Sequence, residues 1–270
     1  MNILKFIETF TDDSLMRSTG SRRESFNQFG NIGKTLAYAS IPFGLSAMAN
    51  KAFAKDITAT PATPIGALQF ALTLEYLENE FYAMALDSGV IPASENGGRD
   101  LKVFQQIAAH ESSHVKFLIA GLGGTMSANF VPKPTFDFTV GGTFDPFHDY
   151  PTFLALAQAF EDTGVRAYKG QAGNLITTPD LLTAALQIHS VEARHASEVR
   201  RLRKLKGWIS NDERGAGMPS ATQAVYNGEG VTVQAGFNTA AAFGAAAGSE
   251  AYDEPLNTQQ VVDIANLFIV

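Results

Sequence analysis

Two segments, Glu111-Ser112-Ser113-His114 and Glu192-Ala193-Arg194-His195, repeat the spacing E-x-x-H, and a Glu-x6-Tyr pair precedes each. The pairs are Glu75…Tyr82 before the first copy and Glu161…Tyr168 before the second. The dipeptides Gln106-Ile107 and Gln187-Ile188 lead into the two motifs at the same distance. One half-site is therefore written twice, in the order Glu, Glu-x-x-His, Glu, Glu-x-x-His. A carboxylate-bridged pair of metal ions inside a four-helix bundle requires that order. Residues three apart share a helix face, so Glu111 and Glu192 can bridge two ions while His114 and His195 each bind one. Residues seven apart are two turns on, which sets Tyr82 above Glu75 and Tyr168 above Glu161. The two tyrosines are candidate partners of the carboxylates and candidate proton or electron relays.

Charge strengthens this reading. Apolar periodicity assigns Glu111, Glu161 and Glu192 to core positions, beside Phe104 and Leu118, Leu154 and Ala157, and Ile188 and Val199. An uncompensated buried carboxylate costs several kcal/mol, so four of them converging with two imidazoles call for cations. The expected ligands are Glu75, Glu111, His114, Glu161, Glu192 and His195. Glu75 is preferred to Glu78 because it alone matches the Glu161…Tyr168 offset, and Gly164 stands where Glu78 would have its counterpart. Glu78, one turn on, remains an alternative ligand or bridge. His110 and His189 read as supporting or surface residues, and His148, between Asp145 and Asp149, as part of a helix start. A lone E-x-x-H would carry little weight; the duplication with its upstream Glu-x6-Tyr carries the argument.

These residues need helices to hold them. Periodicity predicts helices near 65–88, 98–121, 150–174 and 179–206. The first and last gaps are short, while the middle one, about 122–149, is long and rich in Gly, Pro, Phe and Thr. Residues 208–270 read as an extension, with short strands near 231–237 and an amphipathic helix from Thr258 that packs back on the bundle. Residues 1–64 read as a leader and linker. Ser21-Arg22-Arg23-Glu24-Ser25-Phe26 precedes a mildly apolar stretch, Ile32–Ala49, with A-x-A points at Ala47-Met48-Ala49 and Ala52-Phe53-Ala54. That pattern is similar to a twin-arginine export signal and predicts a periplasmic or extracytoplasmic location, with the cytoplasm as the alternative. The same stretch is the candidate for membrane association.

Composition narrows the field. The 270 residues carry a formal charge of −7, which argues against nucleic acid as a partner. The basic run Arg200–Lys206 reads as complementing a helix dipole. No cysteine is present, so disulfides, thiolate zinc sites and iron–sulfur clusters are excluded, and any metal must sit on carboxylates and imidazoles. The twenty Phe read as core filler.

Residues 65–207 resemble the ferritin-like superfamily. The phrase Leu74-Glu75-Tyr76-Leu77-Glu78-Asn79-Glu80-Phe81-Tyr82 and the tail Glu250-Ala251-Tyr252-Asp253-Glu254-Pro255-Leu256 are similar to bacterial ferritin-like domain proteins of the desiccation-related type. The resemblance implies an all-α, ferritin-like four-helix bundle with one long crossover, flanked by the leader and the C-terminal extension. It also implies a di-iron, di-manganese or mixed centre on the six ligands named above. Two functions follow as expectations. One is a redox, stress-protective protein acting on O2, H2O2 or Fe(II), ferroxidase-like or catalase-like. The other is a non-enzymatic envelope or surface protein, a homo-oligomer or assembly component, whose metals only stabilise the bundle.

Overall fold

The computed structural model describes residues 56–270; the export-signal pattern, the apolar stretch and both cleavage points lie outside the described residues. Four long helices form the frame: α1 (Pro64–Ser88), α2 (Arg99–Gly121), α3 (Tyr150–Leu175) and α4 (Pro179–Leu202). Local chemistry sets their starts. The Thr63 side chain accepts from the Gly66 amide and Pro64 opens α1; Asp149 accepts from the Thr152 amide ahead of α3; Pro179 opens α4. Gly89, at φ +74°, closes α1 in the left-handed region. α1 packs closely on α2 and α3 on α4, and α1 meets α3 between the pairs. Among the described residues no helix is long and apolar enough to cross a membrane.

The predicted helices are present, with one shifted end. α4 stops at Leu202 rather than running to 206. Lys204 takes φ +63°, its amide bonds the Arg201 carbonyl and the Leu205 amide bonds the Arg200 carbonyl. That is a Schellman closure carrying Lys where Gly is usual, so no glycine marked the stop. The basic run also turns inward. Arg200 is buried against Asp162, with Nε–Oδ1 3.0 Å and Nη2–Oδ2 2.6 Å, and Arg203 donates to Gln158. Arg200 and Arg203 therefore also tie α4 to α3, while Arg200 and Arg201 stand in the last turn of α4, where basic side chains complement the helix dipole.

The crossover, residues 122–149, is a packed segment. Phe138 lies 5.2 Å from Phe81, 6.1 Å from Phe160 and 6.4 Å from Phe268 between ring centroids. Its backbone pairs with the C-terminus: the Asp137 amide donates to the Phe268 carbonyl at 2.8 Å and the Val270 amide to Thr135 at 3.1 Å. Among the described residues, Phe81, Phe104, Phe138, Phe153, Phe160 and Phe268 do serve as core, while Phe237 and Phe243 are exposed.

The C-terminal extension covers the other face of α3. It contains α5 (Gln223–Tyr226), a hairpin of β1 (Val233–Gln234) and β2 (Phe237–Asn238), then α6 (Thr239–Phe243), α7 (Ala245–Ser249) and α8 (Thr258–Ala265). Asn257 and Gln260 form a capping box on α8. Val261, Val262, Ile264 and Ala265 bury one face of α8 in a core shared with Phe70 and Leu74 of α1 and Ala155 and Ala159 of α3. Arg166, itself buried, reaches out of α3 to the carbonyls of Val225, Asn227 and Glu254 and pairs with Glu229 at 2.6 Å.

Candidate metal centre

Each helix of the frame contributes one glutamate to a common interior: Glu75 from α1, Glu111 from α2, Glu161 from α3 and Glu192 from α4, all with no solvent exposure. His114 and His195 join them one turn beyond Glu111 and Glu192. Two donor groups result, Glu75–Glu111–His114–Glu192 and Glu111–Glu161–Glu192–His195, and within each the donor atoms lie within 4.8 Å of one another. All six residues singled out from the sequence are brought together.

The oxygens of the shared carboxylates are divided between the two groups. His114 Nδ1 lies 3.2 Å from Glu75 Oε2, from Glu111 Oε2 and from Glu192 Oε1. His195 Nδ1 lies 3.0 Å from Glu111 Oε1, 3.3 Å from Glu161 Oε2 and 3.7 Å from Glu192 Oε2. Glu111 and Glu192 thus offer one oxygen to each side, while Glu75 and Glu161 serve one side apiece. That is the arrangement of bridging and terminal carboxylates around two cations.

A metal pair also accounts for atoms that protein groups leave unsatisfied. Glu111 Oε1, Glu161 Oε2, both oxygens of Glu192 and Nδ1 of His195 are buried without a hydrogen-bond partner. Close approach without alignment explains this around His195, whose Nδ1 faces carboxylate oxygens without forming bonds to them. Buried polar atoms rarely stay unpaired, and a cation satisfies all of these at once. Oxygen donors with borderline nitrogen suit iron or manganese.

Electrostatics point the same way. Burial, then the neighbouring glutamates, holds the Glu111 carboxyl well above its ordinary range. Burial raises Glu161 to about 7 despite His195 and Tyr82. For His195 burial works downward, but Glu161 and Glu111 outweigh it and push the imidazole up to about 12; Glu75 and its neighbours raise His114 as well. Glu192 ends at about 2, because the two imidazoles close beside it overcome its burial. Protons are the counter-charge that this interior accepts when no cation provides it, and divalent ions would replace them.

The tyrosines cross the bundle. Tyr82 of α1 donates its hydroxyl to Glu161 Oε1 of α3 at 2.5 Å, and Tyr168 of α3 donates to Glu75 Oε1 of α1. Each holds the terminal carboxylate of the opposite half, which corrects the expectation of a stack on its own helix. The hydrogen bonds leave Oε2 of Glu75 and Oε2 of Glu161 turned toward the imidazoles. Burial holds both phenols protonated, well above their usual range.

His110 proves to be a partner of the centre. Its Nδ1 lies 2.9 Å from His195 Nε2, the rings stack at 5.1 Å, and Gln106 reaches its Nε2 at 2.7 Å. The position of His110 beside Glu111 was the available signal, but which ring it meets depends on how α2 and α4 pack. His189 belongs to neither donor group, and His148 bonds Asp145 at 2.7 Å just before α3.

The model for the ferritin-like domain matches residues 63–205, over half of the chain. The chain belongs to the ferritin-like domain family. The match begins at the Thr63 cap of α1 and ends just beyond α4, so it spans the ferritin-like bundle and both donor groups. No curated protein matches the chain.

Proposed function

We propose that this ferritin-like protein is a binuclear iron or manganese protein that acts on O2 or H2O2 and protects against the stress they cause. The division of Glu111 and Glu192 oxygens between two donor groups carries the reading, since one ion needs no such division. Bound metals would supply paired one-electron steps, ferroxidase-like with iron or catalase-like with manganese. The chain's own groups do the rest. Glu111 and Glu192 would hold both ions, Glu75 with His114 and Glu161 with His195 would complete the two donor groups, and Tyr82 and Tyr168 fix Glu161 and Glu75 while offering phenolic protons next to them. His110, with its Nδ1 2.9 Å from Nε2 of His195, holds that ring in place and links it through Gln106 toward solvent. Full burial of the four carboxylates excludes bulk water, while the His114 side chain, 11% exposed, marks where a small oxidant can enter.

The test is to load the purified protein anaerobically with Fe(II) or Mn(II). O2 consumption with Fe(II), or O2 release from H2O2 with Mn(II), would then be followed beside Glu111→Ala. Turnover that this variant lacks supports the reading. Two tightly held ions that stabilise the fold, with no turnover under either condition, would favour the structural alternative instead.

A further inference from the structure

The two halves match at every ligand and every tyrosine, and differ one turn beyond the first glutamate of each. One turn after Glu75, α1 carries Glu78; one turn after Glu161, α3 carries Gly164. Glu78 is 3% exposed, and among the described residues it has neither an ion-pair partner nor a hydrogen bond. A carboxylate this buried and held by no partner is costly as an anion, and the charged groups around it all belong to the interior.

Gly164 shows where that side chain points. A Cβ built on Gly164 would lie 3.2 Å from Glu78 Oε1 and 3.5 Å from Glu192 Oε2. The missing side chain on α3 is the space in which the Glu78 carboxylate faces the shared carboxylate Glu192. Behind it lies a small apolar cavity of about 20 Å3, bounded by Leu77, Phe160, Gly164 and Phe268, which leaves Glu78 unclamped. The charges it feels are, after burial, those of Glu192, Glu161, Glu111 and Glu75.

We infer that Glu78 is a seventh protein ligand of the binuclear centre, a fifth carboxylate that moves onto one ion when the metals bind and makes the two metal positions unequal. Gly164 is its structural counterpart, the vacant place that admits it. The inference rests on the binuclear reading above. Four carboxylates already balance two divalent ions, so the added anion favours binding at one position and a higher metal charge.

The experiment is an anaerobic titration of stripped, full-length protein with Mn(II) against a competing chelator, with thermal midpoints of stripped and loaded samples. Wild type, Glu78→Gln, Glu78→Asp and Glu111→Ala are compared. Expected are two Mn(II) per wild-type chain, and one of the two affinities about tenfold or more weaker in Glu78→Gln. Glu78→Asp, which keeps the charge but shortens the reach, weakens the same step and serves if Glu78→Gln does not fold. The stripped Glu78→Gln protein melts higher than stripped wild type while gaining less from metal, an inversion that a packing role cannot produce. Both affinities within about threefold of wild type in the two Glu78 variants would overturn the inference and leave the binuclear reading intact. Binding of no Mn(II) by wild type, or equal binding by Glu111→Ala, would overturn both.

Discussion

Glu111 and Glu192 each place one oxygen beside His114 and the other beside His195, whereas Glu75 and Glu161 each serve one histidine. Loss of a shared carboxylate should therefore cost both ions and loss of a terminal one should cost one. Glu111→Ala is expected to fall from two ions per chain to none, and Glu161→Ala to about one, by elemental mass spectrometry. The tyrosines act one step out. Tyr82→Phe removes the hydroxyl that orients Glu161, and it should keep two ions while weakening the affinity on the Glu161 side by about 10–100-fold. Chelator competition measures that loss. The ligands could be read from the sequence because i, i+3 and i, i+7 spacings are properties of a single helix. The crossing of Tyr82 to Glu161 and the contact of His110 with His195 could not, because both depend on how two helices face each other.

α3 is the element most enclosed by its neighbours. Glu161, Gly164 and Tyr168 face the glutamate cluster, while Gln158, Asp162 and Arg166 hold the extension. From Phe153 through Tyr168 every residue is buried, so no solvated stripe remains for periodicity to report. This hid the roles of Asp162 and Arg166, although the four long helices and α8 were legible from apolar spacing and caps. Two substitutions test the clasp between α3 and the extension. Arg166→Met would leave Glu229 buried and three carbonyls without their donor, and should destabilise by about 3–5 kcal/mol. Gly170→Ala would place a Cβ 2.0 Å from the Leu256 carbonyl oxygen, forcing the 253–257 segment to shift at a cost of about 1–3 kcal/mol. Denaturant unfolding gives both values. Hydrogen exchange should show faster opening at 223–257 than in α1 or α2.

Across the whole molecule, the interior trades protons for cations. The folded pKa of Glu161, about 7, exceeds its ordinary value of 4.5, so between those pH values the folded chain binds more protons than the unfolded one. The stripped protein therefore loses stability as pH rises through that window, at up to about 1.4 kcal/mol per pH unit for one such group. The raised histidines act in the same direction. Their stabilisation is complete below about 6.5 and declines above it as the unfolded chain gives up those protons. Metal should reverse the trend, because bound cations take the place of the protons. The metal-induced rise in melting temperature is predicted to grow from pH 5 to pH 8, and a scanning calorimeter measures it directly.

Glu75, Glu111, His114, Glu161, Glu192 and His195 are predicted to hold two metal ions. Elemental mass spectrometry on protein purified from its native source, beside the Glu111→Ala/Glu192→Ala double variant, tests it most directly. Two iron or manganese ions per wild-type chain, absent from the folded double variant, is the predicted result. A folded wild-type protein that carries no metal and takes up none when supplied would contradict it.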